Sequence, residues 1–445
     1  MGDIFKAYDV RGIYPTELDE NRAYLIAKAT VKSLGAKKIV VGQDERSSSP
    51  GISEAVVRGA VEMGCDVIYI GQTTTPIFYF TVNHLQVDGG IMITASHNPI
   101  EYGGLKIVGR DAISVGLENG LAEIRDISNG EIGLADKRGN LIKKDDALDN
   151  YVSWILDNEK IKPGELDNFN IVIDIGDGPV FRSMKRVLDA IRINYTNLGG
   201  SFLSGKSPNP YRPSALDALI VKINNDKFDF GISLDLDGDR LAIVSNDGMI
   251  VSVSSILAML WQQSFGLWSK PKIVYTANMS KNVVRIFGHR GIISKIGRVA
   301  VANSMRGKKA SLGAENSGHI FFKEANYSEC PEMVIIRLLK VLKDKKASIS
   351  EVIKTLSGEY VGSGEIAIAT DKDWKDVINI VKSKYSNGKI SELDGVSIDF
   401  NDWWFNLRSS NTEPLMRLFV EAKSGELLNE KKNELINFID KNKSV

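Results

Sequence analysis

The sequence predicts an α/β protein of three similar domains with mixed, mostly parallel sheets, followed by a smaller C-terminal α+β domain. Three observations predict it. Short apolar runs rich in β-branched residues alternate with stretches of helical period, that alternation restarts twice, and the order changes after Gly364. A chain of 445 residues also exceeds what one hydrophobic core supports.

In the first round, residues 37–42 and 66–71 have the pattern of buried strands. Between them, 53–64 carries apolar residues at Ala55, Val56, Ala60, Val61 and Met63 and closes on Gly64, a helical signature. A third strand, 89–94, follows another helical stretch. The second round places strands at 170–175, 191–198 and 228–234 and helices at 180–190 and 214–225. The third has strands at 272–276, 291–296 and 310–313 and helices at 254–264 and 281–288. The last unit reads as a strand at 365–369, a helix at 373–385, strands at 396–400, 403–407 and 415–422, and a helix at 426–441. The domains are therefore drawn at 1–148, 149–249, 250–361 and 362–445, with linkers near 143–150, 247–251 and 357–364.

Hydrophobic residues make up 43 % and charged residues 25 %, the balance of a globular protein. Acidic and basic residues number 56 each, so no global field favours nucleic acid or an anionic membrane. An anionic ligand has to be held by local groups. Two cysteines, Cys65 and Cys330, supply no disulfide framework, which points to a reducing, cytoplasmic setting. The first twelve residues are charged rather than apolar, and 251–261 is too short to span a bilayer. The expectation is a soluble protein with no membrane or nucleic-acid partner, either monomer or homodimer.

Chemistry concentrates in four loops, each following an apolar strand, where open α/β sheets bind ligands. The first is Thr94-Ala95-Ser96-His97-Asn98-Pro99, with Lys106 beyond it. It exposes a serine among hydrogen-bond donors, although a capped turn has the same composition. The second is Asp235-Leu236-Asp237-Gly238-Asp239-Arg240. Three carboxylates at i, i+2 and i+4 repel one another; each pair at ~4 Å costs ~1 kcal/mol in water and ~4 kcal/mol when partly shielded. A hard cation with oxygen ligands removes that cost, and the lack of nearby Cys or His favours Mg²⁺ over Zn²⁺. An EF-hand is excluded, since its sixth position would be Arg240 and its twelfth Asn246. The third loop, Gly313-Ala314-Glu315-Asn316-Ser317-Gly318-His319, offers the mixed donors and acceptors that sugar hydroxyls need. The fourth, Arg408-Ser409-Ser410-Asn411-Thr412-Glu413-Pro414, offers a guanidinium fork and hydroxyls for a phosphate dianion, with Arg417 on the next strand.

These four loops, in this order, resemble the α-D-phosphohexomutases, especially the phosphomannomutase/phosphoglucomutase branch. The resemblance covers essentially the whole chain, including the opening Phe5-Lys6-Ala7-Tyr8-Asp9-Val10-Arg11-Gly12. It implies four domains around a central cleft and a mutase that interconverts hexose 1-phosphate and hexose 6-phosphate of mannose or glucose. Ser96 would be the phosphoserine, and Asp235, Asp237 and Asp239 would hold Mg²⁺ with a phosphoserine oxygen. Glu315, Asn316, Ser317 and His319 would read the sugar. Arg408, Ser409, Ser410, Asn411 and Thr412, with Arg417, would grip the phosphate not being transferred. Tyr8, Arg11 and His97 would lie near the phosphoserine, and Lys295 would contact the sugar. Lys106, Arg240 and His319 are candidates for proton transfer, left unranked. The partner is a small phosphosugar, with glucose or mannose 1,6-bisphosphate as intermediate and activator. Phosphoglucosamine mutase is the alternative within the family. Outside it stands an aspartate-nucleophile phosphatase using Asp235 and Asp237, which would leave the Ser96 and Arg408 loops without a role.

Overall fold

The computed structural model describes residues 4–212, 214–263, 271–356, 358–370, 373–410 and 415–442. They form two compact units, Met1–Val251 with Ser317–Ser350, and Ser252–Asn316 with Glu351–Val445.

The first unit contains a six-stranded mixed sheet in the order Val10–Ile13, Tyr102–Gly109, Gly89–Ile93, Lys38–Gln43, Asp66–Gln72 and Leu141–Lys143. Lys38–Gln43 pairs in parallel with a strand on either side and is buried from Ile39 onward, which explains its continuous apolar run. Helix Glu20–Leu34 begins where the Asp19 side chain accepts from Arg22 N at 2.8 Å and ends on Gly35 at φ +58°. Helix Thr75–His84 packs hard on the sheet, because a Cβ on Gly90 would lie 2.7 Å from the Phe78 ring. That close seat brings the start of the helix to the aspartate loop, where Thr75 bonds Asp237.

A second, five-stranded sheet runs Ile250–Val251, Leu241–Ser245, Phe230–Leu234, Asn170–Ile173 and Asn194–Asn197. The hairpin of Ile320–Phe322 and Ser328–Glu329 and the buried helix Pro331–Lys345 complete this unit.

The second unit has a parallel trio, Gly291–Ser294, Ile273–Thr276 and Leu312–Ala314. It also has an antiparallel sheet in the order Val361–Ile368, Met416–Ala422, Trp403–Ser409, Val396–Asp399 and Lys389–Ser391. Helices Trp374–Lys384 and Gly425–Asn442 bury Val377, Val381, Leu435 and Ile439 against it. The architecture is thus α/β domains with mixed sheets plus a C-terminal α+β domain, as expected from the alternation.

Several boundaries differ from the sequence reading. Helix Ala147–Glu159 starts inside the stretch assigned to a linker near 143–150, because the charged run before it hides a face made of Ala147, Tyr151, Val152 and Ile155. Strand Val361–Ile368 likewise begins within 357–364. Residues 250–251 are paired with Val244 and Ile243, so the 247–251 stretch closes a hairpin. The helix expected over 214–225 starts only at Asp217. Among the described residues, no helix is long and apolar enough to cross a membrane.

Candidate active site

Ser96 follows the fully buried strand Gly89–Ile93 and adopts φ +52°. That left-handed conformation costs a non-glycine residue about 1–3 kcal/mol and persists only where the surroundings over-determine it. Its hydroxyl donates to Asp235 Oδ2 at 3.0 Å and lies 3.4 Å from His97 Nδ1. Burial, and then the nearby Arg240, Arg11, His319 and Lys106, hold His97 well below the usual histidine range. Arg11 comes alongside because Val10–Ile13 pairs with the start of Tyr102–Gly109. Its Nε and Nη2 bind Asp9 at 3.0 and 2.8 Å, and Nη1 donates to Ala95 O and Asn98 Oδ1. Tyr8 is half-buried just ahead of that strand.

The three aspartates sit on the hairpin between Phe230–Leu234 and Leu241–Ser245, which turns at Gly238 (φ +73°). Each is at most 1 % exposed, and their oxygens lie within 4.8 Å of one another. Asp235 Oδ1 accepts from the backbone of Asp239 and Arg240 at 3.0 and 3.1 Å, tying the turn to itself. Asp237 O accepts from Thr75 N at 2.9 Å and its Oδ2 from Thr75 Oγ1 at 2.5 Å, so the helix that starts at Thr75 steadies the loop. Lys106 faces the same loop from its strand, with Nζ 2.6 Å from Asp237 Oδ2 and 2.5 Å from Asp239 Oδ2. Arg240 Nε lies 4.0 Å from Asp235 Oδ2. Burial, and then repulsion from Asp237 and Asp239, push Asp235 well above the usual carboxylate range. Asp237 Oδ1 is buried and has no hydrogen-bond partner among the described residues. An oxygen-only donor set with excess buried charge and an unsatisfied carboxylate oxygen fits a hard divalent cation such as Mg²⁺.

His319 enters from the hairpin at 320–329. Leu241 N donates to Gly318 O at 3.1 Å, which fixes the approach. His319 Nδ1 is 3.0 Å from Glu329 Oε1 and 3.7 Å from Asp239 Oδ1, and the ring is buried. Ser317 Oγ is buried with no partner among the described residues. Thus Ser96, the three aspartates, Lys106, Arg11, His97, Arg240 and His319 converge in one unit.

The other unit holds a second cluster. Arg408 and Arg417 are register partners on adjacent strands. Arg408 Nη2 donates to Glu365 Oε1 at 2.7 Å, and Arg417 Nε is 3.9 Å from Glu365 Oε2. Ser410 N donates to Leu415 O at 2.8 Å and Ser409 pairs with Met416, while Asn411 and Thr412 lie outside the described residues. Glu315 is buried, Asn316 half-buried with its amide 3.5 Å from Asn278 O, and Lys295 exposed. Arg408, Glu315 and Lys295 act electrostatically on Asp394, which accepts from Ile296 N at 2.5 Å. Burial raises the Asp394 carboxyl; Arg408 and Lys295 pull it down, and Glu315 pushes it up.

Sequence reasoning missed Thr75, Glu329, Asp44 and Arg46. The last two follow the apolar strand Lys38–Gln43 as Asp44-Glu45-Arg46, the same strand-then-polar-loop signal used for the other four loops. Thr75 and Glu329 carry no such signal.

Comparison with known proteins closes the case. Profiles described as phosphoglucomutase/phosphomannomutase alpha/beta/alpha domains I, II and III match residues 2–132, 149–248 and 252–360, and the C-terminal domain profile matches 365–438. The chain is 34 % identical to a phosphomannomutase of Methanocaldococcus jannaschii, covering 98 % of each. It is 32 % identical to a phosphomannomutase of Vibrio cholerae, again over 98 % of each. A crystal structure of a phosphoglucomutase/phosphomannomutase family protein from Burkholderia thailandensis superposes with a TM-score of 0.86 at 27 % identity, over 98 % of both chains. With all four domains matched in order and relatives aligned end to end, the chain belongs to the phosphoglucomutase/phosphomannomutase family and is a phosphohexomutase.

Proposed function

We propose that the enzyme interconverts the 1- and 6-phosphates of mannose and glucose, with phosphorylated Ser96 as the carrier and a bound hexose 1,6-bisphosphate as the intermediate. The single observation that carries the reading is the 3.0 Å approach of Ser96 Oγ to Asp235 in a buried three-carboxylate loop.

In the forward half-reaction the 6-hydroxyl of a hexose 1-phosphate attacks phosphoserine. Its O–P bond forms as the Ser96 O–P bond breaks, the hydroxyl proton passes to a base, and Ser96 Oγ recovers a proton. The 1,6-bisphosphate then reorients and returns its 1-phosphate to Ser96, releasing hexose 6-phosphate. Phosphoryl transfer is chiefly a matter of position and charge. Mg²⁺ held by Asp235, Asp237 and Asp239 would neutralise charge on the transferring group. Arg11 and Arg240 add positive charge beside Ser96. Lys106 and His319 both reach the aspartate loop, and either can hold the proton in transit. His97 borders the serine. Lys295, Glu315, Asn316 and Ser317 would read the sugar hydroxyls, with Tyr8 at the serine loop. Arg408, Ser409, Ser410, Asn411, Thr412 and Arg417 would clamp the phosphate at rest. The proposed setting is cytoplasmic.

The test is to incubate the enzyme with ³²P-labelled glucose 1,6-bisphosphate and map the label, alongside Ser96→Ala. Label on Ser96 and a loss of about 10³-fold or more in turnover are expected, the scale of removing a covalent carrier. Label on Asp235, or a folded Ser96→Ala variant with near-normal turnover, would falsify the carrier role. Rates on the 1-phosphates of mannose, glucose and glucosamine decide the sugar, and a preference for glucosamine 1-phosphate would overturn that part of the reading.

A further inference from the structure

Arg46 is 1 % exposed, and every N–H of its guanidinium is committed. Nε donates to Asp44 Oδ2 at 3.2 Å. Nη1 donates to the carbonyls of Pro99 and Tyr102 at 2.6 and 3.2 Å, and Nη2 to those of Ser96 and Asn98 at 2.6 and 2.7 Å. Four of five donors thus end on carbonyls of one short stretch, 96–102. A guanidinium is the one side chain with a planar fork of five donors; an ammonium has three in a tetrahedral spread.

The other side of Ser96 leads back to the same carboxylate. Ser96 N donates to Thr94 Oγ1 at 2.8 Å, and the Thr94 hydroxyl lies on the side of Asp44, where it helps hold that carboxyl down. Asp44 is anchored independently: its N donates to Ile93 O at 2.9 Å, and its Oδ1 accepts from Arg46 N at 3.0 Å and Ser49 Oγ at 2.5 Å. The Ser96 carbonyl therefore reaches Asp44 through Arg46, while its N–H is held by the Thr94 side chain. The restrained residue holds φ +52°, a conformation that needs its surroundings to impose it.

We propose that Arg46, oriented by Asp44, is a positioning residue for phosphoryl transfer: it imposes the main-chain path of the 96–102 loop and so aims Ser96 Oγ at the aspartate loop. Arg46 touches no reacting atom and acts only through the loop backbone. The inference rests on the reading of Ser96 as the phosphate carrier. The bonds of Arg46 to carbonyls converge on the stretch that carries the nucleophile.

The experiment compares wild type with Arg46→Lys, Thr94→Val and Thr94→Ser. It measures folded fraction by circular dichroism, kcat and KM for the hexose 1-phosphate, and the rate of Ser96 labelling by ³²P-labelled glucose 1,6-bisphosphate. For Arg46→Lys and Thr94→Val, kcat per folded molecule should fall between roughly tenfold and a hundredfold, the scale set by a displacement of up to about 1 Å. KM should be unchanged, and labelling should slow by the same factor as kcat. Thr94→Ser, which keeps the hydroxyl, should restore both rates. Wild-type kcat and labelling per folded molecule in both damaging variants overturn the proposal, as does a loss explained wholly by folded fraction. Should Arg46→Lys fail to fold, the Thr94→Val and Thr94→Ser pair decides alone. A wild-type enzyme that never labels on Ser96 overturns the carrier reading and this inference together, whereas a labelled wild type with indifferent variants overturns only this one.

Discussion

Asp237 divides its two oxygens unequally. Oδ2 is shared by Lys106 and Thr75, while buried Oδ1 has no hydrogen-bond partner among the described residues. Such an atom costs about 1–3 kcal/mol unless a ligand satisfies it. Asp237→Asn replaces one of the three carboxylates of the proposed cation site with an amide, so the Mg²⁺ concentration for half-maximal activity should rise by roughly tenfold or more. An unchanged metal titration would remove this loop from the metal site. Arg408 presents a comparable imbalance, with Nη2 on Glu365 and a buried Nε that lacks a partner among the described residues. Arg408→Ala should raise KM for the phosphosugar by about tenfold or more and lower kcat less, the signature of lost ground-state binding; an unaltered KM refutes the clamp. Residues such as Asp237 and Ser96 were legible because each loop keeps its chemistry within a few consecutive positions. Thr75, which bonds Asp237 across 162 positions, was not, since only folding brings the two together.

Three helices, Ala147–Glu159, Pro179–Ile191 and Pro331–Lys345, are tied at Glu332. Tyr151 Oη donates to its Oε2 at 2.9 Å and Ser183 Oγ to its Oε1 at 2.6 Å, all in the interior. Cys330 Sγ stands 3.1 Å from Tyr151 Oη, and burial raises its thiol well above the ordinary range. Glu332→Ala strands the buried Ser183 hydroxyl and leaves Tyr151 Oη only the Cys330 sulfur, so about 1–3 kcal/mol of stability should be lost in urea unfolding. Burial also raises the Glu332 carboxyl. The folded state then binds its proton more tightly than the unfolded chain does. Its stabilising share is complete below the ordinary carboxylate range and is lost as pH rises through the raised value. Glu332→Gln, which mimics the neutral form, should be less sensitive to pH than wild type over that window; parallel urea midpoints against pH would refute this. Elements of this kind were read unevenly. Strands buried on both faces announced themselves, but Ala147–Glu159 was hidden by the Lys143-Lys144-Asp145-Asp146 run, whose charge resembles a linker.

At the scale of the whole chain, the cation site lies wholly in the unit that carries Ser96. A ligand that binds only the folded form stabilises by mass action, about 2.7 kcal/mol at a hundred times its Kd. Mg²⁺ should therefore raise the calorimetric transition of that unit. Of the six tryptophans, only Trp154 falls in it, so tryptophan fluorescence should register a smaller shift. Equal shifts by both probes would show that the units melt as one. The alternation of strands and helices made four domains visible in the sequence, but not the regrouping into two units, because Ser317–Ser350 joins a unit whose other residues precede Ser252. That return of the chain has a consequence for biosynthesis. On the ribosome, Ser96 and the aspartate loop emerge long before His319 and Glu329, and the buried helix Pro331–Lys345 follows later still. The nascent polypeptide thus carries a serine whose neighbours His319 and Glu329 are missing for about half of translation, and a transcript truncated after the codon for Val251 would yield a product that lacks part of its own interior.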